Sequence, residues 1–157
     1  MSRVADGNGV KPPRNLIDLM QKAQEEQRRR EGRAPTTYEA GRPIIGSDAL
    51  KKGLARLSSG RVEDTLLAEA GEHAYLIEKF RSAKAEHNEA SLAQTLDINE
   101  DDVTEKARIL IELGFLERVG TNYKVPMLYR NGLGITQGKA FATVGEEAGA
   151  NEEEEEE

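Results

Sequence analysis

The spacing of apolar residues changes at Gly114, and that switch restricts what the second half of the chain can fold into. Before it, Val103, Ala107, Leu110 and Ile111 recur at helical spacing. After it, Phe115, Leu116 and Val119 form a β-prone run, and Gly120-Thr121-Asn122 reads as a turn. Tyr123-Lys124-Val125 is a second such run, halted by Pro126. Gly114 supplies the helix stop. Upstream, Ala74, Ile77 and Phe80, with Leu76 beside them, predict a short helix that ends in the polar run Ser82 to Asn88. Ala90, Leu92, Ala93 and Leu96 predict another. Asp97-Ile98-Asn99 reads as a tight turn, and Asn99 with Asp102 three residues later has the spacing of a capping box. The order is helix, helix, turn, helix, hairpin.

The first half divides by composition. Residues 1–13 are Gly-rich and polar and are expected to be flexible; Pro12-Pro13 then marks a helix start, because the first turn does not need the missing N–H. A helix over 14–32 carries Leu16, Ile17, Leu19 or Met20, and Ala23 in its first half, becomes Gln/Glu/Arg-rich in its second, and stops at Gly32. Residues 33–46, with Pro35, Gly41, Pro43 and Gly46, read as a linker. Residues 47–70 form a helical connector with Ser47 as N-cap and Leu50, Leu54 and Leu57 on one face, followed by Val62, Leu66 and Leu67. Gly53 and Gly60 each weaken a continuous helix by up to about 1 kcal/mol, leaving one helix and two both open. A folded unit is expected over 71–130, with Met127, Leu128 and Tyr129 placed to pack across the hairpin. Residues 131–145 are a carboxyl-terminal extension, and 146–157 an acidic tail expected to be disordered.

The charge of −7 hides a strong asymmetry. Glu146, Glu147 and the six residues Glu152 to Glu157 hold eight of the 29 acids, so residues 1–145 carry 21 acids against 22 bases and stand near +1. Bulk charge therefore does not by itself forbid nucleic acid. The absence of cysteine excludes a disulfide framework, a thiolate nucleophile and a Cys-ligated zinc. No apolar run approaches the roughly 18 residues of a membrane span, and no apolar secretory segment opens the chain, so no membrane partner and a cytoplasmic location are expected.

The helix over Leu92–Leu96, the three-residue turn, the helix ending Ile109-Leu110-Ile111-Glu112-Leu113-Gly114-Phe115-Leu116 and the hairpin through Val125 resemble a winged helix-turn-helix. The implied fold class is mainly α with a small β-hairpin, a winged-helix domain over 71–130 preceded by helical connector segments. The string Pro12-Pro13-Arg14-Asn15-Leu16-Ile17-Asp18-Leu19, opening a helix, resembles the lid region of AAA-type and related P-loop ATPases, in which a winged helix often follows. That resemblance implies that Arg14 senses nucleotide phosphates, where its guanidinium and the helix dipole both favour an anion. It departs from the family in lacking the strand-rich core and its Walker motifs. The chain therefore looks like the carboxyl-terminal lid and winged-helix portion of such an ATPase without its motor.

Candidate chemistry is sparse. Gly41-Arg42-Pro43-Ile44-Ile45-Gly46-Ser47-Asp48 has the glycine spacing of a phosphate loop, but Ser47-Asp48 stand where Lys and Ser or Thr are required, and no strand precedes Gly41. It reads as linker. His73 and His87 lack a third ligand or a Ser/Asp partner, so neither a metal nor a catalytic role is expected, and no cofactor. Tyr75, Phe80, Phe115, Tyr123 and Tyr129 are read as core rather than as stacking platforms. Arg28-Arg29-Arg30 and Arg33, interleaved with acids, read as a solvated helix end. A helix-turn-helix would read DNA with its second helix, yet that helix carries Glu100, Asp101, Asp102, Glu105 and Glu112 against Lys106 and Arg108, a balance of −3. Contact to a partner or to nucleic acid would then draw on Lys106, Arg108, Arg118, Lys124 and Arg130, with Lys139 following. The expectation is a non-catalytic interaction module associated with a P-loop ATPase, contacting protein first and DNA second. The alternatives are a DNA-binding transcriptional regulator, expected to be a dimer, and a carboxyl-terminal fragment of an ATP-hydrolysing enzyme.

Overall fold

Proline at position 13 opens α1 (Pro13–Arg33), as its fixed φ favours in a first turn. Asn15, Leu19, Ala23 and Gln27 are the buried positions of α1, a strict four-residue stripe. It packs against α2 (Ser47–Arg61), which begins after Gly46 as N-cap, with Ser47 already inside the helix. The capping role expected of Ser47 is not taken up, since no side chain caps this end. Ala23 and Gly53 mark the closest approach: a Cβ on Gly53 would lie 2.7 Å from the Ala23 nitrogen. The glycine that weakens α2 locally is therefore what lets the two helices meet. The computed structural model describes residues 3–140, so the tail over 146–157 lies outside the described residues.

The question of one helix or two resolves into an unbroken helical path with a defect. From α2 the backbone passes through a π turn at Val62–Leu66 into α3 (Leu67–Ala70), and Gly71 at φ 52° ends it. A single 3₁₀ turn, Gly71–His73, leads into α4 (Ala74–Glu78). The polar run that follows is not a loop. Lys84–His87 is strand β1, with Ala85 and His87 buried on its inner face. Helix α5 (Glu89–Leu96) starts in a capping box in which the Ser91 N–H donates to Asn88 Oδ1 at 2.8 Å and the Asn88 N–H to Ser91 Oγ at 3.0 Å. The box expected at Asn99 and Asp102 does not form; the Asp102 N–H donates to the Asn99 carbonyl instead, at 3.1 Å. Asp97, in the left-handed region at φ 58°, turns the chain into α6 (Glu100–Glu112), whose buried face is Val103, Ala107 and Leu110.

Strands β2 (Glu117–Val119) and β3 (Asn122–Lys124) form the expected hairpin, in the register Glu117 to Lys124 and Arg118 to Tyr123. β3 also pairs antiparallel with β1, and after α7 (Met127–Arg130) the chain adds β4 (Thr136–Lys139) parallel to β1. The sheet order is β2-β3-β1-β4. The described residues are mainly helical with this small sheet.

The core runs from Leu19 through α2, α4, α5 and α6 to Leu133 and Ile135. The segment read as connector (47–70) and the described part of the extension read over 131–145, residues 131–140, thus contribute to the same packing as 71–130. At its centre Phe80 meets Phe115 edge to face with ring centroids 5.0 Å apart, and meets the His87 ring at 5.3 Å; Phe115 continues to Tyr129 at 5.9 Å. Tyr123 joins the core, whereas Tyr75, expected there, is 53% exposed. Residues 3–12, expected to be a flexible lead, lie against the end of α6 and the start of α1: the Gly7 N–H donates to the Gly114 carbonyl at 2.7 Å, and Asn15 Nδ2 to the Val4 carbonyl at 3.1 Å.

Two glycines in α2 should respond oppositely to alanine. Gly53→Ala is expected to lower the urea-unfolding free energy by about 1–3 kcal/mol, because Ala23 leaves no room. Gly60→Ala, whose Cβ would meet only the Asp64 carboxylate at 3.5 Å, is expected to raise it by about 0.5–1 kcal/mol. His87 provides a pH test. Burial lowers its pKa against smaller raising effects from the Lys84 and Ser91 backbone, and its Nε2 lies 2.9 Å from the Lys84 carbonyl, as a neutral donor. The unfolded chain takes up a proton at about pH 6.5 that the folded chain resists. Stability is thus full above that pH and falls as pH drops through it toward the lower folded pKa. Urea midpoints measured from pH 7 to 5 should decline in the parent and flatten in His87→Gln.

Candidate interaction surface

The cations expected to touch a partner separate into distinct environments. On α6, Arg108 Nη1 lies 2.7 Å from Glu112 Oε1 and Lys106 Nζ lies 3.3 Å from Glu105 Oε1. On the hairpin, Arg118 is exposed and donates to the Gly120 carbonyl at 3.3 Å, while Lys124 Nζ lies 3.4 Å from Glu86 Oε1 across the sheet. Surface pairs of this kind are worth only about 0–1 kcal/mol, so pairing alone does not withhold them from a ligand. The balance of charge weighs more. Residues 100–124 hold four cations and six carboxylates, and the first turn of α6 presents Glu100, Asp101 and Asp102 together.

Arg130 is a different case. It is 6% exposed, its Nε donates to the Val125 carbonyl at 2.8 Å, and its Nη1 donates to Gln137 Oε1. Burial lowers its pKa, with Glu86 and Glu117 acting against that. The guanidinium ties the end of β3 to β4, so the side chain expected at a partner contact is instead occupied inside the fold. Sequence reasoning placed it by its position after the hairpin; nothing in the order of residues showed that β4 would return alongside β1 and cover it. Beside it, the Tyr129 hydroxyl is pushed up to about 12, by burial first and then by Asp6.

Arg14 stands in the first turn of α1 with its side chain 83% exposed and only a loose approach to Asp18, 3.9 Å away. The surface around it was not anticipated. Of the apolar residues in the first half of α1, Leu19 and Ala23 are buried, while Leu16, Ile17 and Met20 are 45%, 55% and 45% exposed, because α2 covers the Asn15-Leu19-Ala23-Gln27 stripe. Leu50 on α2 is 42% exposed and Ile44 in the preceding linker 74%. Two open depressions flank Leu16. One, of about 390 Å³, is formed by Val4, Leu16, Leu50 and Leu54 with Arg3 and Lys51 at its rim. The other, of about 440 Å³, is formed by Leu16, Ile17, Met20 and Ile45 with Gln21 and Gln24. No carboxylate lines either one among the described residues.

The basic run at the end of α1 borders an open cleft of about 680 Å³ shared with the start of α2. Arg29 and Arg30 are paired there with Glu26 at 3.1 Å and Asp48 at 3.4 Å, and Lys51 and Lys52 line the opposite side. The glycine string 41–48 supplies a turn at Gly41 (φ 86°), and the Gly46 N–H is taken by Gln27 Oε1 at 3.0 Å. It is held as a linker. Among the described residues there is no cluster of three or more His, Cys, Asp or Glu fit to hold a metal, and no helix long and apolar enough to cross a membrane.

Arg130→Ala is expected to lower unfolding stability by about 1–3 kcal/mol, since it leaves the Val125 carbonyl unpaired in the interior. Arg118→Ala should change it by less than about 0.5 kcal/mol. Parallel urea titrations check the contrast, and equal effects would remove the structural role assigned to Arg130. Comparison with protein-family models, with curated proteins and with solved structures found no match for this chain.

Proposed function

We propose that this chain is a non-catalytic interaction module of a P-loop ATPase system, in which a lid-like helix is followed by a winged helix-turn-helix, and that it engages a protein partner in preference to DNA. The winged-helix reading is supported by β1 lying between α4 and α5 and pairing with β3 of the hairpin, so that α4, α5 and α6 and a three-stranded β2-β3-β1 layer share one core. The lid reading is supported by Pro12-Pro13-Arg14 at the head of α1, with the Arg14 guanidinium exposed and paired with Asp18 only at 3.9 Å. Chemistry of its own is not part of this reading, since Ser47-Asp48 replace the residues that would hold phosphates and Mg²⁺.

One observation carries the choice of protein over DNA: the exposed apolar ridge Leu16, Ile17 and Met20, continued by Leu50. An apolar patch of this kind on a polar surface marks a protein contact, whereas duplex phosphates reward cations. The helix that would enter the major groove carries −3, and Arg130 is withdrawn into the fold.

A salt titration of affinity for labelled duplex DNA tests the choice. Binding is expected to be weak, and Arg118→Ala with Lys124→Ala to change it by less than about threefold, or 0.7 kcal/mol. Tight binding that falls steeply with salt and is lost in that double variant would assign the hairpin to DNA and overturn the protein-first reading.

A further inference from the structure

We propose that the Leu16 ridge of α1, with the depressions on either side of it, is a docking site for an acidic amphipathic helix of a partner protein. This rests on the protein-partner reading above and adds the chemistry of what binds.

The ridge remains apolar for a reason internal to the fold. Helix α2 approaches α1 along Asn15, Leu19, Ala23 and Gln27, and the close passage of Gly53 over Ala23 holds it on that stripe. Leu16, Ile17 and Met20 lie outside that stripe and stay about half exposed, with Leu16 at the edge of α2 beside Leu50 and Leu54. The apolar part of the ridge, Leu16 to Met20, rises about 6 Å, one helical turn, with Leu50 and Ile45 beside it and Gln21 and Gln24 beyond, which seats apolar anchors at i and i+3 or i+4 of a docked helix.

Charge decides which helix. Arg3 and Lys51 rim the first depression, and neither forms an ion pair among the described residues; no carboxylate lines either depression. Arg14 adds a third cation at this end, held by Asp18 only at 3.9 Å, and Asp6 Oδ1 is already taken by the N–H groups of Asn8 and Val10. A partner with carboxylates flanking its apolar stripe satisfies these cations, and a basic helix meets repulsion. A second copy of this chain is disfavoured for the same reason. Two-fold pairing places the patch against itself, and so sets the cations around Arg3 and Lys51 of one copy toward those of the other.

The probe is a fluorescein-labelled helical peptide with Leu at i, i+3, i+4 and i+7 and Glu on both flanks, compared with the same peptide carrying Lys for each Glu. Fluorescence anisotropy should show the acidic peptide bound at least about tenfold more tightly than the basic one. Ile17→Asp with Met20→Asp should cost at least about tenfold again while leaving the far-UV circular dichroism unchanged, because both side chains are exposed. Amide NMR shifts on adding the acidic peptide should centre on Leu16, Ile17, Met20 and Leu50. Equal binding of the two peptides, binding of neither, or shifts centred on β2 and β3 would overturn the docking site. So would a dimer by sedimentation that the Asp variant dissolves, since that assigns the ridge to a second copy. Tight, salt-sensitive duplex binding instead fails the protein-first reading itself, so the two failures are told apart.

Discussion

The contact of Phe80 with Phe115 is the joint on which the remaining architecture depends. Phe80 follows α4, and Phe115 is the first residue after the Gly114 stop of α6. Their edge-to-face packing therefore brings the start of the helical set against its end. The same Phe80 ring meets His87 on β1, and Phe115 reaches Tyr129 on α7, so one aromatic chain ties helix, sheet and the final helical turn together. All four side chains lie in the core, where aromatic pairs contribute about 0.5–1.5 kcal/mol beyond the area they bury. Histidine can take part only as the neutral ring, which is why burial and the Lys84 carbonyl set its protonation state together.

A second constraint places the exposed surface. Ala23 and Gly53 let α1 and α2 approach closely, and that approach selects which stripe of α1 is covered. Arg3 and Lys51 flank one side of the stripe left outside, Gln21 and Gln24 the other, and the Arg56 guanidinium bridges Glu25 and Glu26 across the helix pair. A larger side chain at either Ala23 or Gly53 would separate the helices and change the face on offer. The apolar ridge is thus a consequence of packing at a glycine, not of an excess of apolar residues.

Legibility in the sequence followed how much each element depends on its own residues. Helix α6 and the β2–β3 hairpin carry strong local signals, in Val103, Ala107 and Leu110, in the Gly114 stop and in the Gly120 turn, and they appear where those signals predict. Strands β1 and β4 carry almost none. Lys84–His87 has one aliphatic residue, Ala85, and Thr136–Lys139 has no apolar side chain, so both are extended because partner strands supply their hydrogen bonds. Capping shows the same limit: the box expected at Asn99 with Asp102 does not form, while Asn88 with Ser91, inside the polar run, forms one. Of the partner-contact cations, Lys106, Arg108, Arg118 and Lys124 remain reachable, and only the return of β4 shows that Arg130 does not.

What the sequence by itself determined is local: the helix start at Pro13, the stop and period switch at Gly114 and the acidity of α6, whereas Gly32, expected to stop α1, lies inside it and the helix runs on to Arg33. These follow from backbone freedom and side-chain spacing over a few residues, which need no distant partner. Tertiary structure alone decided which face of α1 stays exposed, that a polar run becomes the inner strand of a sheet, and that Arg130 is structural. Each of those depends on residues far apart in the chain, Ala23 with Gly53, Glu86 with Lys124, Arg130 with Gln137, and burial is a property of such pairs rather than of either residue.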